Sequence, residues 1–232
     1  MTTPRLLIVT TSAATMGPSA EPTGLWLEEL TTPYYLFRDA GLDVTLASVA
    51  GGPVPVDPRS LAPAGENDAS VERYLTDSAA QAAVATTPRF DTLSLTDYDG
   101  LFLPGGHGTM FDYPLSDSLA RLVADFDAAG KIVAAVCHGP AGLVAARRAD
   151  GTPVVAGRRV AGFTDSEERA VGLDRAVPFL LESRLRDLGA HYECGPDFAP
   201  FAVQDGRLIT GQNPASAGPV ADLVIAALKT GG

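Results

Sequence analysis

Continuous apolar runs, separated by segments with helical periodicity, constrain the fold of this chain most. RLLIVTTS (5–12), GLFLPGG (100–106) and KIVAAV (131–136) lack the polar alternation of a half-exposed strand. Such runs are typical of strands that are buried on both faces, as in a parallel sheet with helices packed on either side. The sequence therefore predicts an α/β fold with a mostly parallel sheet flanked by helices on both faces.

The other segments fit the same plan. Further strands are expected at 42–50 and 158–165, and a hairpin is expected over 201–211, with its turn at Asp205 and Gly206. Helical patterns extend over the segments 23–41, 67–88, 116–131, 138–148, 174–190 and 216–230.

Local signals refine these helices. Ser116 is a predicted N-cap, and either Asp77 or Ser78 is expected to cap a second segment of the second helix. Pro33 suits the first turn of a helix, so the first helix is expected to restart at this residue.

The composition is that of an acidic globular protein. Hydrophobic residues make up 46% of the 232 residues and charged residues 19%, which allows a sizeable core. A net charge of −11 argues against nucleic acid and anionic membranes as partners, since both attract basic surfaces. Two cysteines are too few for a disulfide framework, and the first apolar run is too short for a signal sequence or a membrane span. We expect a single domain over residues 1–232 of a reduced, cytoplasmic protein.

Polar and glycine residues follow three of the predicted strands at their carboxyl ends. Thr10–Ser12 follow the first run, Gly105–Gly108 follow the second, and Cys137 and His138 follow the third. Ligands of parallel sheets bind at this edge, so these residues are expected to converge on one site.

The stretch AAVCHGPAGL (134–143) brings a thiol, an imidazole and a glycine to one turn. A strand that ends in Cys137 before a helix is expected to form a nucleophile elbow, in which the helix N-terminus lowers the thiol pKa. Gly139 permits the turn, and the backbone N–H groups of His138 and Gly106 are expected to hold a developing oxyanion. The alternative for Cys137 is a small buried hydrophobic residue.

Five stretches carry a resemblance to a known family. They are TGLWLEELTTPYYLFRDAG, LFLPGGHGTMFD, AAVCHGPAGL, GFTDSEERAVGLDRAVPFLLE and LITGQNPASA. Together they resemble the PfpI/ThiJ superfamily, which is class I glutamine amidotransferase-like. Within it, the chain is similar to the branch of glyoxalase III and chaperone-like, stress-induced deglycase proteins. The resemblance implies a doubly wound, flavodoxin-like sheet and a homodimer.

The resemblance places a helix-borne glutamate beside the cysteine. Counting from Thr23 and Gly24 assigns this position to Glu29 rather than to Glu28. Helical spacing separates the two as well, because Glu29 shares a face with the apolar Leu25. A carboxyl in such a pocket has a raised pKa and can keep its proton near neutral pH.

The resemblance also implies an acidic residue after the GFT segment that holds the histidine. Asp165, Glu167 and Glu168 are the candidates, and position counting favours Glu168. A carboxylate there would accept from the imidazole and fix its tautomer. The catalytic set implied in this way consists of Cys137, His138, Glu29 and Glu168.

The glycine-rich turns are expected to form the oxyanion and substrate pocket. Its predicted members are Gly105, Gly106, His107 and Gly139. His107 is interpreted as a pocket wall or an orienting polar group. The three histidines of the chain lack metal-ligand spacing, and no dinucleotide fingerprint follows a strand, so no metal and no cofactor are predicted.

The resemblance implies a glyoxalase III-type enzyme. Cys137 would attack methylglyoxal or another small 2-oxoaldehyde and give lactate or a related 2-hydroxy acid. A deglycase acting on aldehyde adducts of proteins would use the same chemistry. One alternative is a holdase chaperone or redox-stress protein without turnover. The other is a cysteine amidohydrolase, either a glutaminase or a peptidase. Glutaminase chemistry would need His191 and Glu193, which are expected at the wrong end of their strand.

Overall fold

The computed structural model describes residues 3–229, and a six-stranded sheet lies at its centre. The strands are β1 (Arg5–Thr10), β2 (Asp43–Ser48), β3 (Gly100–Leu103), β4 (Ile132–Val136), β5 (Arg159–Val160), β6 (His191–Tyr192), β7 (Ala202–Asp205) and β8 (Leu208–Gly211). The helices are α1 (Leu27–Asp39), α2 (Ala69–Thr76), α3 (Ser78–Ala85), α4 (Thr109–Asp112), α5 (Asp117–Ala128), α6 (Asp165–Ala170), α7 (Leu181–Asp187) and α8 (Ala217–Lys229).

The strand order of the central sheet is β2-β1-β3-β4-β8-β7. All neighbouring pairs are parallel except the hairpin of β7 and β8. The chain moves outward from β1 to β2 and then returns to build the other half of the sheet from β3 onward. This order is that of a doubly wound fold, and it confirms the predicted class.

Side chains of the central strands alternate between two apolar cores. Leu7 and Val9 of β1 face one core, which α5 covers from its side of the sheet. Leu6 and Ile8 face the other core, which α1 and α8 cover. The continuous apolar runs therefore do form strands that are buried on both faces.

Several local signals are confirmed. Ser116 accepts a hydrogen bond from the Leu119 N–H and caps α5. Asp77 caps α3 by accepting from the N–H groups that follow it, so the second predicted helix is divided at this residue. The hairpin forms as well, although the register pairs Asp205 with Leu208 and so moves the turn one residue later than expected.

Two helix predictions around the site are wrong. The segment 138–148 does not form an α-helix but a 3₁₀ helix over Gly139–Leu143, because its glycines and Pro140 are poor α-helix formers. The first helix does not restart at Pro33 but continues through it. Its buried side chains, such as Phe37, hold it against the sheet despite the missing N–H.

Two predicted elements are much shorter than expected. The segment 158–165 supplies only β5, which pairs with β6 in a separate two-stranded sheet. The segment 174–190 is helical only over α7. Pro178 disfavours helical backbone at the residue before it, so the helix begins after the proline.

Candidate active site

Cys137 lies at a strained turn directly after β4. Its φ is +58°, in the left-handed region that residues other than glycine seldom adopt. Two hydrogen bonds hold this turn: the Cys137 N–H donates to the Gly211 carbonyl (2.9 Å), and the Cys137 carbonyl accepts from the Phe163 N–H (2.8 Å). Strain of this kind costs about 1–3 kcal/mol and is concentrated at functional sites.

Two glycines allow the neighbouring loops to approach this turn. A Cβ on Gly139 would lie 2.1 Å from the Leu103 carbonyl oxygen, and a Cβ on Gly105 would lie 2.5 Å from Glu29 Oε2. Any larger residue would therefore push apart the backbone or the buried carboxyl. Neither glycine lines the pocket above Cys137, so both contribute the space that they leave rather than a contact with a ligand.

The Cys137 thiol is largely buried, with only 3% of the residue exposed. Burial raises the pKa of this thiol well above its usual range, and the neighbouring Glu29 adds to the shift. The prediction of a lowered thiol pKa is wrong because burial of the thiol and the neighbouring Glu29 outweigh the hydrogen bond from the His138 N–H, which lowers this pKa. The resting group is the neutral thiol, which needs a base to become a nucleophile.

Glu29 is fully buried on the first turn of α1, whereas Glu28 is partly exposed. Its Oε2 accepts a hydrogen bond from the Gly105 N–H at 2.8 Å. Its Oε1 has no hydrogen bond of regular geometry within residues 3–229 and lies beside the Cys137 thiol. Burial raises the pKa of Glu29 well above its usual range, and its contacts with Cys137 and Gly105 oppose this shift without cancelling it. Glu29 is therefore an acid that can hold a proton near neutral pH.

Glu168 lies between two histidine rings. Its Oε2 is 2.7 Å from His138 Nε2, and its Oε1 is 2.8 Å from His107 Nε2. Burial alone would raise the pKa of this carboxyl, but the positive charge that His138 carries when it is protonated and the hydrogen bonds from both rings outweigh it. The pKa of Glu168 consequently lies well below its usual range, and the group is a carboxylate.

The shared carboxylate sets the tautomers of both rings. Each ring must carry a proton on Nε2 to donate to Glu168, which leaves Nδ1 as an acceptor. His138 Nδ1 is 3.3 Å from Cys137 Sγ and is placed to take the thiol proton. His107 Nδ1 is buried and has no hydrogen-bond partner among residues 3–229. Burial, together with the positive charge that His138 carries when it is protonated, lowers the pKa of His107 to about 4, so the His107 ring is neutral.

The other acidic candidates of the segment after GFT serve different contacts. Asp165 accepts from the hydroxyl of Ser183. Glu167 is fully buried and accepts from the Phe198 N–H at 2.7 Å and from Asn213 Nδ2 at 2.9 Å. Of the three candidates, only Glu168 contacts His138.

The pocket above Cys137 has a volume of about 120 Å³, and sequence reasoning missed most of its wall. It is lined by Trp26, Gly106, His107, Cys137, His138, Phe163, Val171, Phe198 and Pro214. The apolar members come from distant segments, so no local spacing could have revealed them. None of the lining residues carries a permanent charge, which suits a small uncharged ligand.

Two further residues organise this wall. Phe198 has a φ of +59°, and its N–H is held by the buried Glu167. Thr109 donates its hydroxyl hydrogen to the carbonyls of Gly106 (2.8 Å) and His138 (3.0 Å), so it ties the two loops of the pocket together. A buried glutamate that only holds a loop cannot be told from a catalytic one by its sequence position.

Of the two backbone N–H groups predicted to hold an oxyanion, one is available. Gly106 has a φ of +100° and lines the pocket, and its N–H donates to no group among residues 3–229. The His138 N–H, in contrast, already contacts the Cys137 sulfur and lowers its pKa. The polar residues after β1 lie elsewhere: Thr11 Oγ1 and Ser12 N–H both donate to Asp112 Oδ2, at 2.9 Å and 2.7 Å.

One cluster within residues 3–229 has the spacing of metal ligands. It consists of His107, His138 and Glu168, whose ligand atoms lie within 4.8 Å of one another. The same atoms are paired by the two hydrogen bonds to the carboxylate, so a metal ion would have to displace both ring protons. The donor set fits a histidine–carboxylate pair better than a metal centre, and the absence of a metal stays a prediction.

The sequence profile described as the DJ-1/PfpI family matches residues 23–226. The chain belongs to the DJ-1/PfpI family. In agreement, it is 35% identical over 219 residues to the "Glutathione-independent glyoxalase HSP31" of Saccharomyces cerevisiae, with 89% of this chain and 90% of the relative covered. It is 32% identical over 231 residues to "Glyoxalase 3" of Candida albicans, with 97% and 98% covered.

Two solved structures agree with the fold. The crystal structure of glyoxalase III from Candida albicans superposes with a TM-score of 0.87 at 31% identity, and each chain is covered to 97%. The Francisella tularensis Rapid Encystment Protein 24 KDa superposes with a TM-score of 0.92 at 35% identity, with 97% of this chain and 99% of that chain covered.

The amidohydrolase pair lies outside the site. His191 is exposed in β6, and Glu193 pairs with Arg159 of β5 at 2.6 Å. His191 belongs to the small second sheet and Glu193 directly follows it, so neither lies at the edge that holds Cys137. Within residues 3–229, none of the helices combines the length and the apolar character that crossing a bilayer requires.

Proposed function

We propose that this protein is a glutathione-independent glyoxalase that converts methylglyoxal and related small 2-oxoaldehydes to 2-hydroxy acids. The observation that carries the proposal is the position of Cys137, whose sulfur lies 3.3 Å from an acceptor nitrogen of His138 and beside the protonated Glu29. The curated relatives named above, which align over most of both chains, support the same activity. We also propose that the protein is a cytoplasmic homodimer.

The first step forms a carbon–sulfur bond. His138 Nδ1 takes the thiol proton, and the sulfur attacks the aldehyde carbon of the substrate. The Gly106 N–H can hold the aldehyde oxygen as charge develops on it, and Glu29 supplies the proton that completes the hemithioacetal. At this point Glu29 is a carboxylate and His138 is protonated.

The second stage moves hydrogen between the two substrate carbons. The Glu29 carboxylate removes the hydrogen from the former aldehyde carbon, and His138 protonates the neighbouring oxygen to give an enediol. Glu29 then protonates the second carbon, while the hydroxyl proton on the first carbon passes to His138. The product is a thioester of the 2-hydroxy acid, and water releases it. One carbon is oxidised and its neighbour is reduced, so no external electron acceptor takes part.

Turnover without glutathione tests this proposal. The purified protein is incubated with methylglyoxal alone, and lactate is followed by NMR. We expect Cys137→Ser to lose at least about 10³-fold in turnover and Cys194→Ser, a matched control at the exposed cysteine, to retain it. Lactate formation by Cys137→Ser at the wild-type rate, or none by the wild type, would contradict the proposal.

A further inference from the structure

His107 carries an acceptor that the site leaves unused. Its ring is 5% exposed and lines the pocket with Cys137, and its Nδ1 has no hydrogen-bond partner among residues 3–229. Leaving a buried acceptor unpaired costs about 1–3 kcal/mol. A ligand atom in the pocket that donates a hydrogen bond would remove this cost.

His107 and His138 are equivalent in their relation to Glu168. Each donates from Nε2 to one oxygen of this carboxylate, and the ring centroids are 4.1 Å apart. Each therefore presents a neutral Nδ1. His138 directs its Nδ1 at the sulfur, whereas that of His107 is free to serve a second proton transfer.

The proposed reaction contains a step that needs such a group. When the thioester forms, His138 already holds a proton that the sulfur needs when it leaves. A water molecule must still lose a proton as it attacks the thioester carbon. We infer that His107 is the general base of this hydrolysis and takes that proton on Nδ1. The inference rests on the proposed function, since it assigns a residue to one step of it.

The water oxygen bonds to the acyl carbon, and one water proton moves to His107 Nδ1. The carbon–sulfur bond breaks, and the sulfur takes the proton from His138. The carboxyl proton of the released 2-hydroxy acid returns to Glu29, and His107 gives its proton to solvent. No oxidant or reductant is consumed. Glu168 stays ionised throughout and stabilises the positive charge on His107.

Two substitutions separate the two nitrogens of this ring. His107→Gln keeps a donor near the position of Nε2, so it can still pair with Glu168, but it removes the acceptor at Nδ1. His107→Asn keeps an acceptor near the position of Nδ1 and removes the donor to Glu168. A residue that merely holds Glu168 would tolerate the glutamine and not the asparagine. The inference predicts the reverse for hydrolysis.

The experiment compares both variants with the wild type on methylglyoxal and traps the acyl-enzyme with hydroxylamine. For His107→Gln we expect kcat to fall by about 10–100-fold. Its kcat/KM should stay within about twofold, because thioester formation is untouched. After an acid quench of the reaction, hydroxylamine should release lactohydroxamate in amounts close to one per Cys137. For His107→Asn we expect a lower kcat/KM and little trapped acyl group. Circular dichroism melting checks that both variants fold.

Unchanged kcat in a folded His107→Gln variant would overturn the inference. A parallel loss of kcat and kcat/KM without trapped hydroxamate would overturn it too, since that result places His107 before the thioester. Both results would leave the proposed function standing if the wild type produces lactate. If the wild type produces none, the proposed function itself fails, and the inference fails with it.

Discussion

Two buried glutamates belong to the same site, yet their surroundings shift their pKa values in opposite directions. Glu29 contacts the Cys137 thiol and the Gly105 N–H, its hydrogen-bond partners among residues 3–229 include no cation, and burial raises its pKa. Glu168 is held between two histidine rings, and the charge that His138 carries when protonated and the hydrogen bonds from both rings lower its pKa. The same residue type therefore serves as a protonated acid at position 29 and as a carboxylate at position 168. The groups around each carboxyl decide whether the protonated or the ionised form is stable.

Among the substitutions that test this difference, Glu29→Gln should have the largest effect on activity. Glutamine matches the shape of the protonated carboxyl but cannot release or return a proton. We expect kcat/KM for methylglyoxal to fall by about 10²–10⁴-fold. The free energy of unfolding should change by no more than about 1 kcal/mol, since no buried charge is lost. Steady-state kinetics and urea unfolding measure the two quantities.

Glu28→Gln is the matched control, because Glu28 is on the same helical turn and is partly exposed. Its activity should stay within about twofold of the wild type. Equal losses in the two variants would show that charge on this turn matters, not the buried acid.

The substitution Glu168→Gln should have the next largest effect. A glutamine carries no charge, and only one of its two head-group atoms can accept a ring proton, so the two histidines lose the carboxylate that they share. The positive charge that His138 acquires with the thiol proton is then no longer stabilised, and we expect kcat/KM to fall by about 10²–10³-fold. Alkylation of Cys137 by iodoacetamide should slow in parallel. Asp165→Asn, on the same helix but directed at Ser183, should leave both rates nearly unchanged.

The pH dependence of turnover should distinguish the two carboxyls. Glu29 must be protonated when the substrate is attacked, and its pKa is raised, so kcat/KM should fall on the alkaline side. The fall should approach about tenfold per pH unit and should be absent from the residual activity of Glu29→Gln. Glu168 has a lowered pKa, so its titration should cause no change in kcat/KM near neutral pH. An alkaline limb that persists in Glu29→Gln would assign it to another group.

A third carboxyl, outside the site, resembles Glu29 in that its pKa is raised. Asp112 is partly buried beside the end of β1, without a cation among its hydrogen-bond partners, and the burial of its carboxyl raises its pKa from 3.8 to about 6. The folded state therefore binds its proton more tightly than the unfolded state. This contribution to stability is complete below pH 3.8 and is lost as the pH rises through about 6.

We expect the wild type to lose about 1–3 kcal/mol of unfolding free energy through this group between about pH 4 and pH 7. The variant Asp112→Asn should lack this part of the loss. Urea unfolding of both proteins over this range measures the difference. Parallel curves for the two proteins would show that Asp112 titrates normally.

The sequence could predict the parts of this site that depend on local pattern. Apolar runs located the buried strands along the chain, and helical spacing separated Glu29 from Glu28. The elbow at Cys137 followed from a strand that ends in a turn. In each case the deciding interaction lies within a few residues along the chain.

Other parts depended on contacts between distant segments. The thiol pKa was predicted with the wrong sign because burial by loops far along the chain outweighs the expected helix end. The pairing of His107 with Glu168 spans 61 residues, and no spacing rule reaches that far. Phe198 entered the pocket wall through a left-handed backbone conformation that phenylalanine rarely adopts.

The opposite protonation of the two glutamates can be observed directly. Glutamate labelled with ¹³C at the side-chain carboxyl gives each residue an NMR signal whose position reports its protonation, and Glu29→Gln and Glu168→Gln assign the two signals. At pH 7 we expect Glu29 at the position of a protonated carboxyl and Glu168 at that of a carboxylate. A Glu29 signal that titrates with the exposed glutamates near pH 4–5 would contradict the account.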